Sequence, residues 1–273
     1  MPHPPCPNNV LQGIAIALAS VLGDDKVAHP GSPAYQNSVA SYYSVQQATI
    51  RPACVVFPRT ATLTKEGPSI AFGVRSGGHT GWAGASNIAG GVTLDLTGLN
   101  DIEVTQEGTI VRVGTGATWD AMYQKLHPLG RTVAGGRVAG VGAGGLTLGG
   151  GISHLSPQRG WKCDTVLNFQ VVLSDGQVVN ANADENADLF FALRGGGGNF
   201  GIVACIAAQI EKEARALGAY DPFVFLSYAM PDQNPIASYG EENVRRLVAV
   251  RDRVDPAGMF TKQVPGRHKI HNA

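Results

Sequence analysis

The sequence predicts an α+β fold, and three observations lead to this prediction. Residues 92–96 and 109–113 alternate apolar and polar side chains at every second position, as half-buried strands do. Residues 119–126 and 240–254 instead carry apolar side chains at helical spacing. These segments follow one another without the regular strand–helix–strand alternation of a doubly wound parallel sheet.

The first part of the chain is predicted to contain a helix, a linker and two strands. Residues 10–22 form an apolar stretch that is too short to span a bilayer. Because residues 1–9 contain no Lys or Arg, a first amphipathic helix is favoured over a secretory signal segment. A polar linker extends to residue 46, and short apolar runs at 53–57 and 70–74 predict strands.

The second half of the chain is predicted to contain a hairpin and further mixed elements. Two strand-like runs at 168–173 and 177–180 flank Asp175-Gly176, a dipeptide typical of hairpin turns. The remaining predicted elements are a helix at 188–193, a strand at 200–210 and a helix at 240–254 that ends at Asp255-Pro256.

The composition excludes several classes of protein. Glycine accounts for 36 of the 273 residues, charged residues make up 15%, and 21 basic side chains balance 21 acidic ones. An intrinsically disordered chain needs more charge and fewer apolar groups. A neutral chain offers no electrostatic basis for binding nucleic acid or an anionic membrane. We therefore expect a globular protein that binds neither.

The cysteines indicate neither a metal site nor a cellular location. Cys6, Cys54, Cys163 and Cys205 contain no C-x-x-C pair, so neither a zinc knuckle nor a thioredoxin-type redox pair is supported. A Cys6–Cys54 disulfide is conceivable because it would tie down the N-terminus. Four cysteines in a chain of this size leave the compartment open.

The glycine-rich segment at residues 135–151, GGRVAGVGAGGLTLGGG, is the strongest functional signal. Glycine loses more conformational freedom on folding than any other residue, so this composition needs a compensating role. Successive backbone N–H groups without Cβ atoms can surround phosphate oxygens. Apolar residues such as Val138, Val141 and Leu146 separate the glycines, whereas flexible linkers are polar. A ligand-binding loop is therefore favoured over a linker.

A nicotinamide-dinucleotide site is the first alternative for this segment. Gly140, Gly142 and Gly145 form a G-x-G-x-x-G pattern, which alone is weak evidence. The pattern should open a helix, but residues 149–151 are glycines that interrupt one. No phosphate-binding P-loop pattern and no nucleophile-elbow pattern occur in the sequence. A Rossmann-type site is therefore disfavoured.

Two further glycine motifs accompany this segment in a fixed order. Residues 75–79 read RSGGH, and residues 193–203 read LRGGGGNFGIV. The three motifs, in this order, resemble the FAD-linked oxidases of the vanillyl-alcohol oxidase superfamily. The segment that begins at Cys163 supports the resemblance and reads CDTVLNFQVVLSDGQVVNANADENADLFFA. The resemblance is to the berberine-bridge-enzyme-like group in particular.

The resemblance implies a domain organisation. A PCMH-type FAD-binding domain of two α+β subdomains would occupy residues 47–214, after an N-terminal helix and linker at 1–46. Residues 215–273 resemble the family's short C-terminal segment, which is partly helical. The family places a whole substrate domain after the strand that ends at Ile210, and no sequence for it is found, so the substrate domain is expected to be truncated.

The resemblance also implies that FAD is the cofactor and that His79 binds it covalently. In the family, the histidine of RSGGH is attached to the flavin 8α-methyl group, a bond that a neutral imidazole nitrogen can form by nucleophilic attack. Members with a second, cysteinyl link carry Cys where this chain has Val138, so a single link is expected. The other implied cofactor-binding residues are Arg75, Ser76, Gly77, Gly78, Gly142, Gly144, Gly145, Gly150, Ser153, Asp164, Ile202 and Val203.

The implied activity is oxidation of an alcohol or a C–H group of a small organic substrate, a secondary metabolite or carbohydrate, with O2 as electron acceptor. A Tyr is the catalytic base in some carbohydrate-oxidising relatives, and Tyr228 matches it, although a packing role for Tyr228 is equally open. The family's Asn before this Tyr is Ser227 here. Because of the missing substrate domain, a catalytically impaired flavin-binding remnant is the alternative. The uncovered apolar surface predicts self-association.

Overall fold

The structure is a computed structural model that describes residues 22–59, 71–105, 108–212, 234–254 and 256–257. The chain divides into two compact units, Met1–Glu213 and Ala214–Ala273. Helices of the first unit are α1 (Pro33–Ala40), α2 (Val45–Ala48), α3 (Trp119–Leu126), α4 (Ala143–Leu148), α5 (Ser156–Arg159) and α6 (Ala187–Leu193). Its strands are β1 (Val27–Ala28), β2 (Cys54–Val56), β3 (Phe72–Arg75), β4 (Val92–Asp95), β5 (Ile102–Thr105), β6 (Ile110–Gly114), β7 (Arg131–Thr132), β8 (Val166–Val172), β9 (Val178–Asn182), β10 (Ile202–Gln209) and β11 (Glu211–Lys212).

The first sheet has four strands in the order β1-β2-β4-β3. Strand β4 pairs in parallel with both β2 and β3, and β1 pairs antiparallel with β2. Every residue of β2 and β4 is buried, and helix α1 packs Tyr35 and Val39 against Val55 of β2. Because β2, β3 and β4 are parallel, the loops that follow them leave from one edge of the sheet.

The second sheet has five strands in the order β5-β6-β10-β8-β9, and every pairing within it is antiparallel. The main apolar core lies against it and contains the fully buried side chains of Trp119, Phe169 and Ile206. The β8–β9 turn places Gly176 at a φ of 83°, a conformation that favours glycine. A two-stranded ribbon of β7 and β11 completes the strand pairings of the described residues.

The α+β class is confirmed, since one sheet contains parallel strands, the other is antiparallel, and helices alternate irregularly with strands along the chain. The predicted strands that become β2, β3, β4, β6 and β10, the β8–β9 hairpin, and the helices that become α3 and α6 are confirmed within a few residues. The predicted helix at 10–22 lies outside the described residues, apart from Leu22. Cys6, one partner of the Cys6–Cys54 bridge considered above, also lies outside them.

One prediction about local structure is wrong and another is confirmed. The supposed polar linker contains α1, because the Ser32 hydroxyl caps its first turn by accepting from the Tyr35 N–H at 3.3 Å and Pro33 suits its first position. The predicted interruption of the helix after Gly142 is confirmed in α4. That helix is only six residues long, because it ends at Gly149 and two positive-φ glycines follow.

The second unit is described mainly through helix α7 (Glu241–Val254), which confirms the last predicted helix. Glu241 and Glu242 lie in its first turn, and Arg251 and Arg253 lie in its last turn. This charge distribution favours the helix because it complements the backbone dipole. Among the residues that the structure describes, no helix combines the length and apolar character needed to cross a membrane.

Candidate functional site

The loop after β3 and the loop before α4 meet backbone to backbone. A Cβ atom added to Gly77 would collide with the backbone nitrogen of Gly142, and one added to Gly142 would collide with that of Gly77. Only glycine permits this approach at both positions. Two motifs that are 65 positions apart in the sequence, at Gly77 and Gly142, therefore form one surface.

The Ser76 side chain fixes this junction. Its hydroxyl donates to the carbonyl of Thr115 at 2.6 Å and accepts from the N–H of Gly144 at 3.2 Å. Thr115 is buried and donates its own hydroxyl to the Val203 carbonyl at 2.7 Å. One serine thus connects the first loop, the second loop and the second sheet.

The Arg75 side chain points away from this junction and into the protein. Its guanidinium forms an ion pair with Asp95 at 3.3 Å, and it donates to the Ser38 carbonyl and to the Ser41 hydroxyl at 2.5 and 2.7 Å. The centroid of the Tyr42 ring lies 4.2 Å from the guanidinium carbon Cζ of Arg75. Burial raises the pKa of Tyr42 to about 12, so its phenol stays protonated. Arg75 therefore anchors the loop, and only its backbone is close to the junction.

Gly78 and His79 complete the first loop. Gly78 has a φ of 66°, and its carbonyl accepts from the Tyr43 N–H at 3.2 Å. The His79 ring is stacked on the Tyr43 ring, with centroids 3.9 Å apart and an angle of 21° between the planes. His79 lies on the wall of the cleft described next.

A long cleft of about 1900 Å³ runs along the junction of the two sheets. Pockets for drug-sized ligands are usually about 300–1,000 Å³, so this cleft has room for a longer molecule. Its wall consists mainly of glycine backbone and apolar side chains. Predicted cofactor-binding residues on this wall are Ser76, Gly77, Gly78, His79, Gly142, Gly144, Gly145, Ile202 and Val203.

Four predicted cofactor-binding residues are not on the wall: Arg75, Gly150, Ser153 and Asp164. Gly150 has a φ of 97° and its carbonyl accepts from the Cys163 N–H at 2.9 Å. The Ser153 hydroxyl accepts from the Leu155 N–H at 3.0 Å. Asp164 pairs with Arg194 at 2.6 Å and accepts from the Trp161 N–H at 2.8 Å. Gly150, Ser153 and Asp164 therefore take part in turns outside the cleft wall. Tyr228 lies outside the described residues.

Several wall residues were not singled out from the sequence. They include Arg137, Trp161, the β8–β9 turn at Ser174, Asp175 and Gly176, and the third glycine loop at Gly197, Gly198, Asn199, Phe200 and Gly201. The third loop belongs to a motif that the sequence displays, whereas nothing local marks the hairpin turn as part of a site.

Burial, together with the charge of Arg137, lowers the pKa of His154.

The residues present fit FAD. Gly145 has no atom within 4 Å of an added Cβ and lies on the wall, so its backbone is open to a ligand that approaches closely. A flat ring system and a phosphate-containing chain both suit apolar side chains next to exposed backbone. A Rossmann site does not fit, because α4 is six residues long and β7, the strand before it, pairs antiparallel with β11. No group of metal-ligating side chains occurs in the described part of the chain.

Comparison with known proteins agrees with this geometry. A family model described as FAD binding domain matches residues 65–182. The chain is 39% identical over 246 residues to the FAD-dependent monooxygenase FUP4 of Fusarium proliferatum, covering 85% of this chain and 48% of the relative. It is 44% identical over 218 residues to the FAD-dependent monooxygenase tpcD of Cochliobolus heterostrophus, covering 76% and 42%. The chain thus spans less than half the length of these curated relatives.

Solved structures give the same result. The fold is similar to 6-hydroxy-D-nicotine oxidase from Arthrobacter nicotinovorans, with a TM-score of 0.61 and 27% identity over 68% of this chain and 42% of that one. It is also similar to a berberine-bridge-enzyme-like protein of Physcomitrella patens, with a TM-score of 0.60 and 28% identity over the same shares. Fold and site together define an FAD-binding flavoprotein. The chain contains the FAD binding domain that the family model describes, and its fold is similar to that of berberine-bridge-enzyme-like flavoproteins of the vanillyl-alcohol oxidase superfamily.

Proposed function

We propose that the chain binds FAD covalently through His79 and oxidises an alcohol or a C–H group of a small organic molecule, with O2 as electron acceptor. The single observation that carries this proposal is the meeting of Gly77 and Gly142 beside His79, on the wall of a cleft whose volume exceeds that of ordinary small-molecule pockets. When bound, FAD supplies a ring that accepts a hydride.

The proposed bond to His79 balances in atoms and electrons. A His79 ring nitrogen would replace one hydrogen of the flavin 8α-methyl group, and the imidazole would lose its N–H proton. O2 would take up the two protons and two electrons lost in this exchange, which leave as hydrogen peroxide. The protein contributes by holding the nucleophile within reach, an advantage available to any well-oriented pair of reactants.

The other residues of the cleft would bind FAD and orient it. The Gly142–Gly145 backbone and the third glycine loop would hold the extended part of FAD, while Ile202 and Val203 would exclude water from one side of the cleft. We propose Tyr228 as the base that removes the substrate proton, as in the family. We also propose that the FAD-binding domain ends at residue 214, which the division of the chain into units supports.

The relatives' names bear on the fate of O2. Both curated relatives are called monooxygenases, whose reaction places one oxygen atom of O2 in the product. An oxidase instead returns both atoms as hydrogen peroxide. Peroxide release and incorporation of isotopically labelled O2, measured over a panel of phenolic, polyketide and sugar substrates, distinguish the two forms of the proposal.

The binding part of the proposal is tested by acid precipitation. Wild-type protein expressed with riboflavin should give a yellow pellet, whereas His79→Ala should release any bound flavin into the supernatant. His127→Ala is the matched control, because His127 is exposed and lies outside the cleft wall. A colourless wild-type pellet with free FAD in the supernatant contradicts the covalent link. A colourless protein that binds NAD contradicts the cofactor itself.

A flavin-binding protein without turnover is the second candidate. The family's substrate domain would follow β10, but only residues 213–233 separate β11 from the next described segment. Without that domain the cleft would lack the groups that orient a substrate, and such orientation contributes several kcal/mol to catalysis. Covalent flavin without peroxide or product on any substrate favours this candidate, and self-association would be detected by light scattering.

A further inference from the structure

An aromatic side chain in contact with His79 comes from a part of the chain that precedes the matched FAD-binding region. Tyr43 lies between α1 and α2, and the family model begins at residue 65. Its ring stacks on the His79 ring at 3.9 Å with planes 21° apart. Its backbone N–H donates to the carbonyl of Gly78 at 3.2 Å, so the residue is attached at two points.

This contact is unusual for so exposed a side chain. Tyr43 is 68% exposed, so burial of apolar area explains little of its placement. His79 follows two glycines, so no side chain on the preceding residues restricts its rotamers. A stacked ring covers one face of the imidazole and leaves its edge, where both nitrogens lie, open. The Tyr43 ring thus restricts the orientation of the imidazole without blocking its reactive atoms.

We propose that Tyr43 is the positioning residue for covalent flavin attachment, an inference that rests on the proposed role of His79. The stacked ring selects the imidazole orientation from which a ring nitrogen reaches the 8α carbon, with O2 as the oxidant already named. Offset-stacked aromatic pairs shift such equilibria by roughly 2- to 10-fold. The rate of bond formation depends on that population, whereas the equilibrium affinity for FAD depends on the glycine loops.

The test measures attachment and binding separately in the full chain. Apoprotein is mixed with FAD, and covalent flavin is followed over time by fluorescence in denaturing gels, while reversible affinity is measured on the His79→Ala background. Tyr43→Ala should slow attachment roughly 2- to 10-fold and leave the reversible affinity unchanged. Tyr43→Phe keeps the stacked ring and should restore the rate. Phe191→Ala removes an even more exposed aromatic side chain outside the cleft wall and should have no effect.

Each other outcome overturns the inference. An attachment rate in Tyr43→Ala equal to that of the wild type shows that the stack does not position His79. A parallel loss of reversible affinity and thermal stability shows a merely structural role, and failure of Tyr43→Phe to rescue assigns the effect to the hydroxyl group. Absence of covalent flavin in the wild type contradicts the proposed function itself and is recognised before any Tyr43 variant is made.

Discussion

Arg75 and Asp95 are cross-strand partners at the last positions of the parallel strands β3 and β4, and their side chains form a buried ion pair of 3.3 Å. The Ser38 hydroxyl donates to the same Asp95 carboxylate at 2.6 Å. The pair therefore joins two strand ends to helix α1. Since the loop with His79 begins directly after Arg75, this ion pair determines where that loop leaves the sheet.

Breaking the Arg75–Asp95 pair should strongly destabilise the fold. Arg75→Met leaves the Asp95 carboxylate buried without its cation, and such single removals cost about 3–5 kcal/mol. Urea unfolding followed by circular dichroism measures the change. The double variant Arg75→Met/Asp95→Leu removes both charges and should recover part of the loss. A single variant within about 0.5 kcal/mol of the wild type, as surface substitutions usually are, would contradict the assigned anchoring role.

Gly77→Ala should destabilise the apoprotein, because the added Cβ meets the Gly142 backbone, which cannot move aside as a side chain would. Overpacking of this kind costs about 1–3 kcal/mol or more. Gly81→Ala is the matched control, since Gly81 has open space around an added Cβ and lies outside the cleft wall. Equal unfolding free energies for the two variants would show that the loops do not meet as described.

Gly145→Leu should separate ligand binding from folding. Gly145 lies within α4 with no neighbour around an added Cβ, so a good helix former is tolerated or stabilises the apoprotein by up to about 1 kcal/mol. The same side chain would extend into the cleft and lower the affinity for FAD by about tenfold or more, with a smaller loss for Gly145→Ala. Gly144→Leu is expected to impair both, because Thr115 and Ser76 lie 3.0 and 3.1 Å from its added Cβ. Calorimetry with FAD checks these expectations, and unchanged affinity in Gly145→Leu would place the ligand elsewhere.

Lys162 should make stability depend on pH. Its side chain is wholly buried near Trp119 and donates to the Thr165 hydroxyl at 3.2 Å. Burial lowers the pKa of Lys162 to about 7, and the neighbouring Cys163 opposes this shift. In the unfolded chain its pKa is about 10.4, so between these values the unfolded state binds more protons and stability rises with pH. Below pH 7 both states are protonated and this dependence disappears.

The corresponding measurement compares wild type with Lys162→Met, which keeps the length of the side chain without its charge. The unfolding free energy of the wild type should rise by roughly 2 kcal/mol from pH 7 to pH 9 relative to the variant. Parallel pH profiles for the two proteins would show that Lys162 stays protonated in the folded state.

The sequence predicts β2, β3, β4, β6 and β10, the hairpin and the glycine loops because their signals are local. Alternation at period two marks β4 and β6, and Asp175-Gly176 marks a turn, without any knowledge of the rest of the chain. Side-chain directions are different, since they depend on distant partners. Arg75 points to Ser38, which is 37 residues away, so its motif alone could not show that the guanidinium leaves the cleft. The Tyr43–His79 stack and the burial of Lys162 are likewise products of tertiary packing.

The central claim, that this cleft binds FAD through His79, is tested most directly by mass spectrometry of a tryptic peptide. Trypsin cuts after Arg75 and Arg112, and His79 is the only histidine in the peptide of residues 76–112. Protein loaded with FAD should yield this peptide with an added flavin mass, and its fragment ions should place the flavin on His79. An unmodified peptide from fully flavin-loaded protein would contradict the account.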